Sequence, residues 1–367
     1  MVAVVSTAYS ANPYYRAAAS AHAATGTATG VAAGGSTEQA ATSVTLSDEA
    51  MAALAVTDFA TVVAETRAKL TALLKEADRT SPLQDGKLAV DLGSLDARQL
   101  FAMASDDSFS DDEREAAGLE MQRRFEAALA GPAAVARVTG NFTALYKAAA
   151  EYLDSLGPEE KDGADWIAGR AAVTEAQKQL QAAPKTMPDA GPDDPVALYL
   201  ALVEAGQAAQ PQDIADVAKG ARKTLDALYA DAIKAGKAPT YNRATTVGTY
   251  IDLSKLPSRT LSSIVVDGTS QFSTEEVNAA RTALRDKSGA ALLAGFQSAA
   301  KSSDPTAFSQ NIMSIFASMS TEERQAAGWS EQFYQAAVDS YTSTSKLTQM
   351  FAEAGGSATG FLSWMGK

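Results

Sequence analysis

The chain has 367 residues, a formal net charge of -13, 46% hydrophobic and 20% charged residues. This length allows two ordinary domains with cores of their own, and the acidic balance disfavours nucleic-acid binding, which needs clustered Lys and Arg. There is no cysteine and one histidine, His22. Thiolate catalysis, disulfides and Cys-ligated metals are therefore excluded, and a His-built metal site or a Ser-His-Asp triad is disfavoured.

Residues 1–45 are rich in Ala, Ser, Thr and Gly and carry one acid, Glu38, and one base, Arg16. Such a segment cannot bury enough apolar surface to offset its ordering entropy, so we predict a disordered tail. It lacks the basic and apolar regions of a secretory signal peptide. Its composition resembles the Ser/Thr/Ala-rich leaders of flagellar and type III export substrates, and that resemblance implies export. An ordinary disordered terminus is the alternative.

An internal repeat dominates the rest of the chain. Residues 141–166 return as residues 304–329, and seven of the 26 aligned positions are identical, including Trp166 and Trp329. A tryptophan present in both copies is most simply a packing residue. The repetition predicts a duplication that gives two similar helical units, which can pack about a pseudo-twofold axis as a homodimer would.

Both units contain equivalent helix starts. The first unit begins near Leu46, with Ser47 as an N-cap. Its next helix starts near Asp58, and the matching helix starts near Asp213, 155 residues later. The offset grows to 161 at residues 90–100 and 251–261, which places six extra residues in the loop before the second copy.

A Phe-Ser-x-x-Glu motif occurs at residues 109–113 and again at 272–276. In both, the Ser hydroxyl and the Glu carboxylate are spaced for a capping box at the start of a long helix. Ser320 to Glu323 fits the same pattern, whereas proline opens the equivalent helix of the first copy. We expect the two long helices to end near Gly131 and Gly295.

The predicted fold is therefore all-α. Its parts are a tail (1–45), a first helical unit (46–183), a linker with four prolines (184–195), a second unit (196–350) and an apolar C-terminal segment (351–367). That last segment either docks on the body or contacts a partner. No run of 18 or more apolar residues is present, so no membrane-spanning helix is predicted.

The loops that precede Glu113 and Glu276 resemble EF-hand calcium loops in shape, because each glutamate falls at the twelfth position. The oxygen ligands are too few. In the first loop Asp106 takes the fifth position, but the first and third are Ala102 and Ala104. In the second loop Asp267 takes the third, but the first is Val265 and the sixth is Ser270 rather than glycine. Capped helix–turn–helix motifs are the favoured interpretation, and no metal site is predicted.

Other chemical motifs are equally weak. Glu159-Glu160 and Glu322-Glu323 are neighbours on a helix, so their carboxylates point about 100° apart and do not face one substrate. No Gly-x-Ser-x-Gly elbow is present, and Gly236-Lys237 lacks the rest of a phosphate-binding loop. The sequence therefore predicts no catalytic residue, no cofactor and no enzyme.

The function predicted is that of a non-enzymatic structural or interaction protein with a protein partner, exported or associated with bacterial flagellar or type III secretion machinery. A secreted or surface location is favoured over the cytoplasm. The alternatives are a cytoplasmic helical partner-binding module and a degenerate EF-hand-like calcium-responsive protein. Assembly into a homo-oligomer stays open.

Overall fold

A computed structural model describes residues 57–209 and 212–353. The predicted tail, the helix start at Leu46 and Ser47, His22 and most of the C-terminal segment lie outside the described residues. The helices in the described part are α1 (Phe59–Ala77), α2 (Ala97–Ser105), α3 (Asp111–Thr139), α4 (Thr143–Asp154), α5 (Pro158–Lys161), α6 (Ala164–Ala182), α7 (Pro195–Glu204), α8 (Ile214–Lys234), α9 (Ser258–Val266), α10 (Thr274–Ala300), α11 (Ala307–Ser318), α12 (Thr321–Ala327) and α13 (Glu331–Glu353).

Strands are few and short in these residues. Two-residue strands β1 (Leu83–Gln84) and β2 (Lys87–Leu88) pair antiparallel, and β3 (Pro239–Thr240) and β4 (Thr249–Tyr250) pair parallel. A 3₁₀ turn, Leu253–Lys255, leads into α9. The prediction of a predominantly helical chain with little strand is confirmed. No described helix is both long and apolar enough to cross a membrane.

The predicted helix starts follow from local chemistry. Asp58 and Asp213 take the N-cap positions of α1 and α8, and Pro158 is the first residue of α5. In each predicted capping box the Ser hydroxyl accepts from the Glu backbone N–H, and the Glu carboxylate accepts from the Ser backbone N–H. The pairs are Ser110 with Glu113, Ser273 with Glu276, and Ser320 with Glu323.

The predicted helix ends at Gly131 and Gly295 are wrong. The helix α3 runs through Gly131 to Thr139, and α10 runs through Gly295 to Ala300. Both glycines serve close packing against α11 instead. A Cβ at Gly131 would lie 2.4 Å from the Ser314 hydroxyl, and a Cβ at Gly295 would lie 3.3 Å from the Asn311 Cβ. Asn311 also donates a 3.0 Å hydrogen bond to the Gly295 carbonyl.

By compactness the described chain divides into two units. Residues 57–122 and 153–171 form the first compact unit, and residues 123–152, 172–209 and 212–353 form the second. The bounds of these compact units differ from those of the predicted helical units. The predicted bounds rest on sequence repetition and remain a prediction. The largest side chains fully buried in the first compact unit are Leu70, Leu92, Leu95, Leu100, Met103, Phe109 and Leu153.

Two apolar clusters of the second compact unit are formed by described residues of its helices α3, α8, α9, α10, α11 and α13. One lies between α8, α9 and α10 and includes Leu225, Leu261, Ile264 and Leu284. The other joins α3, α11 and α13 through Val135, Ile312, Met313 and Ala337.

The predicted linker has no regular element before Pro195, which begins α7. It is nevertheless fixed to the second compact unit. Asp194 is buried and caps α7 through a 2.9 Å hydrogen bond from the Val196 N–H. The Gln179 amide donates to and accepts from the backbone of Asp189, at 2.9 and 3.0 Å.

Candidate functional site

An arginine is bound to the glutamate of each Phe-Ser-x-x-Glu motif. In the first compact unit, Nη1 of Arg67 lies 2.8 Å from both carboxylate oxygens of Glu113, and Nη2 donates to the Ser108 carbonyl. The Arg67 guanidinium also lies over the Phe109 ring, 3.8 Å from its centroid. Arginine thus ties α1 to the loop that opens α3.

The second compact unit contains the equivalent set of contacts. Nη1 of Arg222 lies 2.8 Å from Oε1 of Glu276 and 3.3 Å from the Gln271 carbonyl oxygen. The guanidinium is 5.5 Å from the centroid of the Phe272 ring. Here α8 is tied to the loop that opens α10.

These contacts set the ionisation of both carboxylates. Burial alone would raise the pKa of Glu113, but hydrogen bonds from Arg67 and Ser110 outweigh it and lower that pKa. Burial likewise opposes ionisation of Glu276, and hydrogen bonds from Tyr229, Ser273 and Arg222 lower its pKa. Both side chains are therefore carboxylates that arginine already neutralises.

The two aspartates that the sequence placed at ligand positions, Asp106 and Asp267, bond to their own loops. Asp106 accepts from the Ser108 N–H at 2.9 Å, and Asp267 accepts from the backbone of Thr269 and Gln271. In the described residues no group of three or more His, Asp or Glu side chains could hold a metal ion. The glutamate at the twelfth position thus faces a guanidinium in both loops.

A second pair of arginines binds the adjacent glutamates singled out from the sequence. In the first compact unit Arg98 binds Glu159 through two contacts, one of them 2.8 Å from Nε to Oε2. In the second compact unit Arg259 reaches Glu322 through a single 3.5 Å contact, and its buried Nε has no hydrogen-bond partner among the described residues. These glutamates hold helices together; they do not face a common substrate.

Both repeated tryptophans are half-buried packing residues. The Trp166 indole donates to the Leu153 carbonyl at 2.9 Å. The Trp329 ring contacts Phe316 and Phe333, with centroids 6.4 and 5.1 Å away.

The described residues of the second compact unit form a cleft of about 590 Å³ beside α10. One wall is the segment of residues 240–254 that carries β3, β4 and the 3₁₀ turn, and the floor is one face of α10. A volume of this size is typical of sites for small molecules or short chain segments. The α10 residues that line it repeat at helical spacing: Glu275, Asn278, Ala279, Thr282, Ala283 and Asp286.

A chain of hydrogen bonds joins the cleft wall to the arginine-bound glutamate. The hydroxyl of Tyr241, which lines the cleft, bonds to the hydroxyl of Tyr229, and Tyr229 donates to Oε1 of Glu276 at 2.6 Å. Burial, followed by the bond to Glu276, raises the pKa of Tyr229, and burial likewise raises the pKa of Tyr241. Both phenols therefore stay protonated, and they fix the wall relative to α10.

Opposite this chain, Arg243 forms the polar edge of the cleft. Its Nε donates to the Tyr250 hydroxyl at 2.8 Å, and its guanidinium lies 5.6 Å from the centroid of the same ring. The hydrogen bond to Tyr250 and the charges of Asp252 and Asp286 raise the pKa of Arg243. Arg243 is therefore a permanent cation.

Sequence analysis did not predict the cleft, although one observation pointed to its position. The six extra residues of the second copy fall in the loop before Ile251, and this loop builds the cleft wall. The residue 155 positions before Tyr229 is Leu74, so the phenol chain is also specific to the second copy. The two copies thus share the arginine contacts but differ in the cleft.

In comparisons with known proteins, no protein-family model, no curated protein and no solved structure matches this chain.

Proposed function

We propose that the protein is a non-enzymatic interaction protein built from an internally duplicated helical unit. Two facts support the duplication. The elements from α1 to α6 and from α8 to α13 follow the same order, and both series carry an arginine–glutamate pair at the Phe-Ser-x-x-Glu motif. A further arginine–glutamate pair recurs at equivalent positions in Arg98–Glu159 and Arg259–Glu322.

The observation that carries the interaction role is the cleft beside α10. Its wall offers phenols, an amide and a base, and the face of α10 offers an amide, a hydroxyl and carboxylates, which suits recognition of a chain segment by hydrogen bonds and charge. In the proposed function the shared helical scaffold supports this cleft, and the loop unique to the second copy defines the contact surface.

The proposed setting is export with bacterial flagellar or type III secretion machinery. It is supported by the composition of residues 1–45, which lie outside the described residues. A cytoplasmic partner-binding module is the alternative. Localisation of the full chain beside a version lacking residues 1–45 decides between them: export of the full chain alone supports the first, and retention of both supports the second.

The calcium-responsive alternative has less support. Calcium would need the Glu113 and Glu276 carboxylates as ligands, and both are bound by arginine at 2.8 Å.

The interaction role is tested by crosslinking in the cells from which the gene comes. A photo-crosslinking amino acid replaces Thr282, which lines the cleft, or Thr342 of α13 as the matched control. Both threonines are exposed and bond to the carbonyl four residues earlier at 2.9 Å. We expect a discrete protein adduct from position 282 only. If neither position yields an adduct, the interaction role is contradicted.

A further inference from the structure

The lining of the cleft carries more negative than positive charges, and its charged residues lie at the two ends. Its lining includes two acids, Glu275 and Asp286, and one base, Arg243. The acids are eleven residues apart on α10, which is about 16 Å at the helical rise. Neither acid makes a hydrogen bond or an ion pair within residues 57–209 and 212–353. The cleft therefore presents a negative group at each end.

At the Glu275 end a cation would also meet an aromatic ring. Glu275 lines the cleft from α10, and Tyr241 lines it from the wall. The base behind this wall, Arg222, already binds Glu276 and Asp226. An incoming Lys or Arg side chain would thus meet the Glu275 carboxylate beside a wall that carries Tyr241, while Arg222 is already paired.

At the other end, Asp286 acts on Arg243, whose guanidinium is held by Tyr250. A second carboxylate, Asp252, also acts on Arg243. Asp286 and Arg243 both line this end of the cleft, and the charge of Asp252 adds to that of Asp286, so this end too favours an added positive charge.

The floor between the ends consists of small side chains, Ala279, Thr282 and Ala283, with Asn278 beside them. A length of about 16 Å holds roughly five residues of extended chain at about 3.3 Å each. The amides of Asn278 and Asn242 can bond to the N–H and C=O groups of such a chain.

We infer that the cleft binds an extended, positively charged segment of a partner protein, with a basic side chain at the Glu275–Tyr241 end. This inference rests on the proposed interaction role and names the chemistry of its partner. Basic residues about five positions apart match the two acids.

The test is a titration of the full chain with dye-labelled peptides, followed by fluorescence anisotropy. The probes are Lys-Gly-Ser-Gly-Ser-Lys and the acidic analogue Glu-Gly-Ser-Gly-Ser-Glu. We expect saturable binding of the basic peptide only. Glu275→Gln should weaken it roughly threefold to tenfold, the range expected for one ion pair supported by a cation–π contact. Thr282→Trp, which fills the floor, should abolish it.

Matched controls separate the cleft from the overall negative charge. Glu331→Gln removes another exposed first-turn glutamate, and Thr342→Trp places the same bulk on α13; both should bind like the wild type. Helix content from circular dichroism should be the same for all variants. If Glu275→Gln and Glu331→Gln weaken binding of the basic peptide equally, the inference is overturned. It is also overturned if Thr282→Trp still binds that peptide. Preferential binding of a neutral oligosaccharide such as chitotriose would overturn it as well.

Failure here is distinguishable from failure of the interaction role. A crosslinked partner at position 282 that binds Glu275→Gln as well as the wild type would leave the interaction role standing and reject a basic ligand. Absence of any adduct would reject the interaction role itself.

Discussion

The Tyr146 hydroxyl donates a 2.6 Å hydrogen bond to Oδ2 of Asp194, and both residues are buried within the second compact unit. Asp194 uses its other oxygen to cap α7. Burial, together with this bond, raises the pKa of Tyr146, so its proton is retained. A single carboxylate thereby joins α4 to the start of α7.

Tyr146→Phe should lower the free energy of unfolding by about 1.5–3 kcal/mol, because it leaves one oxygen of a buried carboxylate without its donor. Urea unfolding at neutral pH measures this change. Tyr341→Phe is the control, since the half-buried Tyr341 makes no hydroxyl hydrogen bond to the described residues, and it should change stability by less than about 0.5 kcal/mol. Equal effects of the two substitutions would contradict the role of this bond.

The two arginines that bind the adjacent glutamates should contribute differently to the free energy of unfolding. Arg98 makes two contacts with Glu159, whereas Arg259 makes one long contact with Glu322 and leaves its Nε unpaired within the described chain. Arg98→Met should therefore cost about 1 kcal/mol more than Arg259→Met in urea unfolding. A larger cost for Arg259→Met would show that its bond to the Gln212 carbonyl dominates.

Ser273→Ala should destabilise the chain by about 1 kcal/mol, because it removes the hydroxyl that accepts the Glu276 N–H at the start of α10. Thermal and urea unfolding both report this loss. The control, Ser288→Ala, lies in the interior of the same helix and should be neutral or slightly stabilising. If Ser273→Ala and Ser288→Ala change the stability equally, the capping box does not determine where α10 begins.

Glu276 should make stability depend on pH in the acid range. Its folded pKa lies below the ordinary value of 4.5, so the unfolded chain binds the proton more readily. The stabilisation is therefore complete above about pH 4.5 and is lost as the pH falls through the folded pKa. The stability difference between wild type and Glu276→Gln should shrink between pH 7 and about pH 3. A difference that stays constant over this range would be the contrary result.

Calcium at millimolar concentration should leave the melting temperature unchanged. The expected reason is that Arg67 and Arg222 occupy the carboxylates that a calcium ion would need. Differential scanning fluorimetry with calcium and with magnesium measures the effect. A calcium-specific rise would revive the EF-hand interpretation of both loops.

Local chemistry explains what the sequence predicted well. A Ser followed three residues later by a Glu is the signature of a capping box when a helical apolar pattern follows, so the starts of α3, α10 and α12 were predictable. The helix ends predicted at Gly131 and Gly295 were wrong because both glycines pack against α11. This contact joins residues far apart in the sequence, so the local sequence does not reveal it.

The candidate site was harder to predict for the same reason. Arg222 and Glu276 are 54 residues apart, and nothing local joins them. In the predicted repeat, agreement between the two segments identifies positions expected to build the fold, whereas the cleft lies where the segments differ. The insertion in one segment of the predicted repeat is thus the sequence feature from which the position of the site could have been predicted.

The anchored linker has a consequence for cleavage. A protease must draw several residues of a substrate into an extended conformation, and a Pro-rich connection between helices is an obvious place to cut. Here the Phe142 N–H donates a hydrogen bond to the Pro184 carbonyl, and the Gln179 amide forms two hydrogen bonds with the Asp189 backbone. The buried Asp194 accepts a hydrogen bond from the Tyr146 hydroxyl. The segment is bonded at its start, middle and end, so we expect these bonds to oppose the extended conformation that cleavage needs.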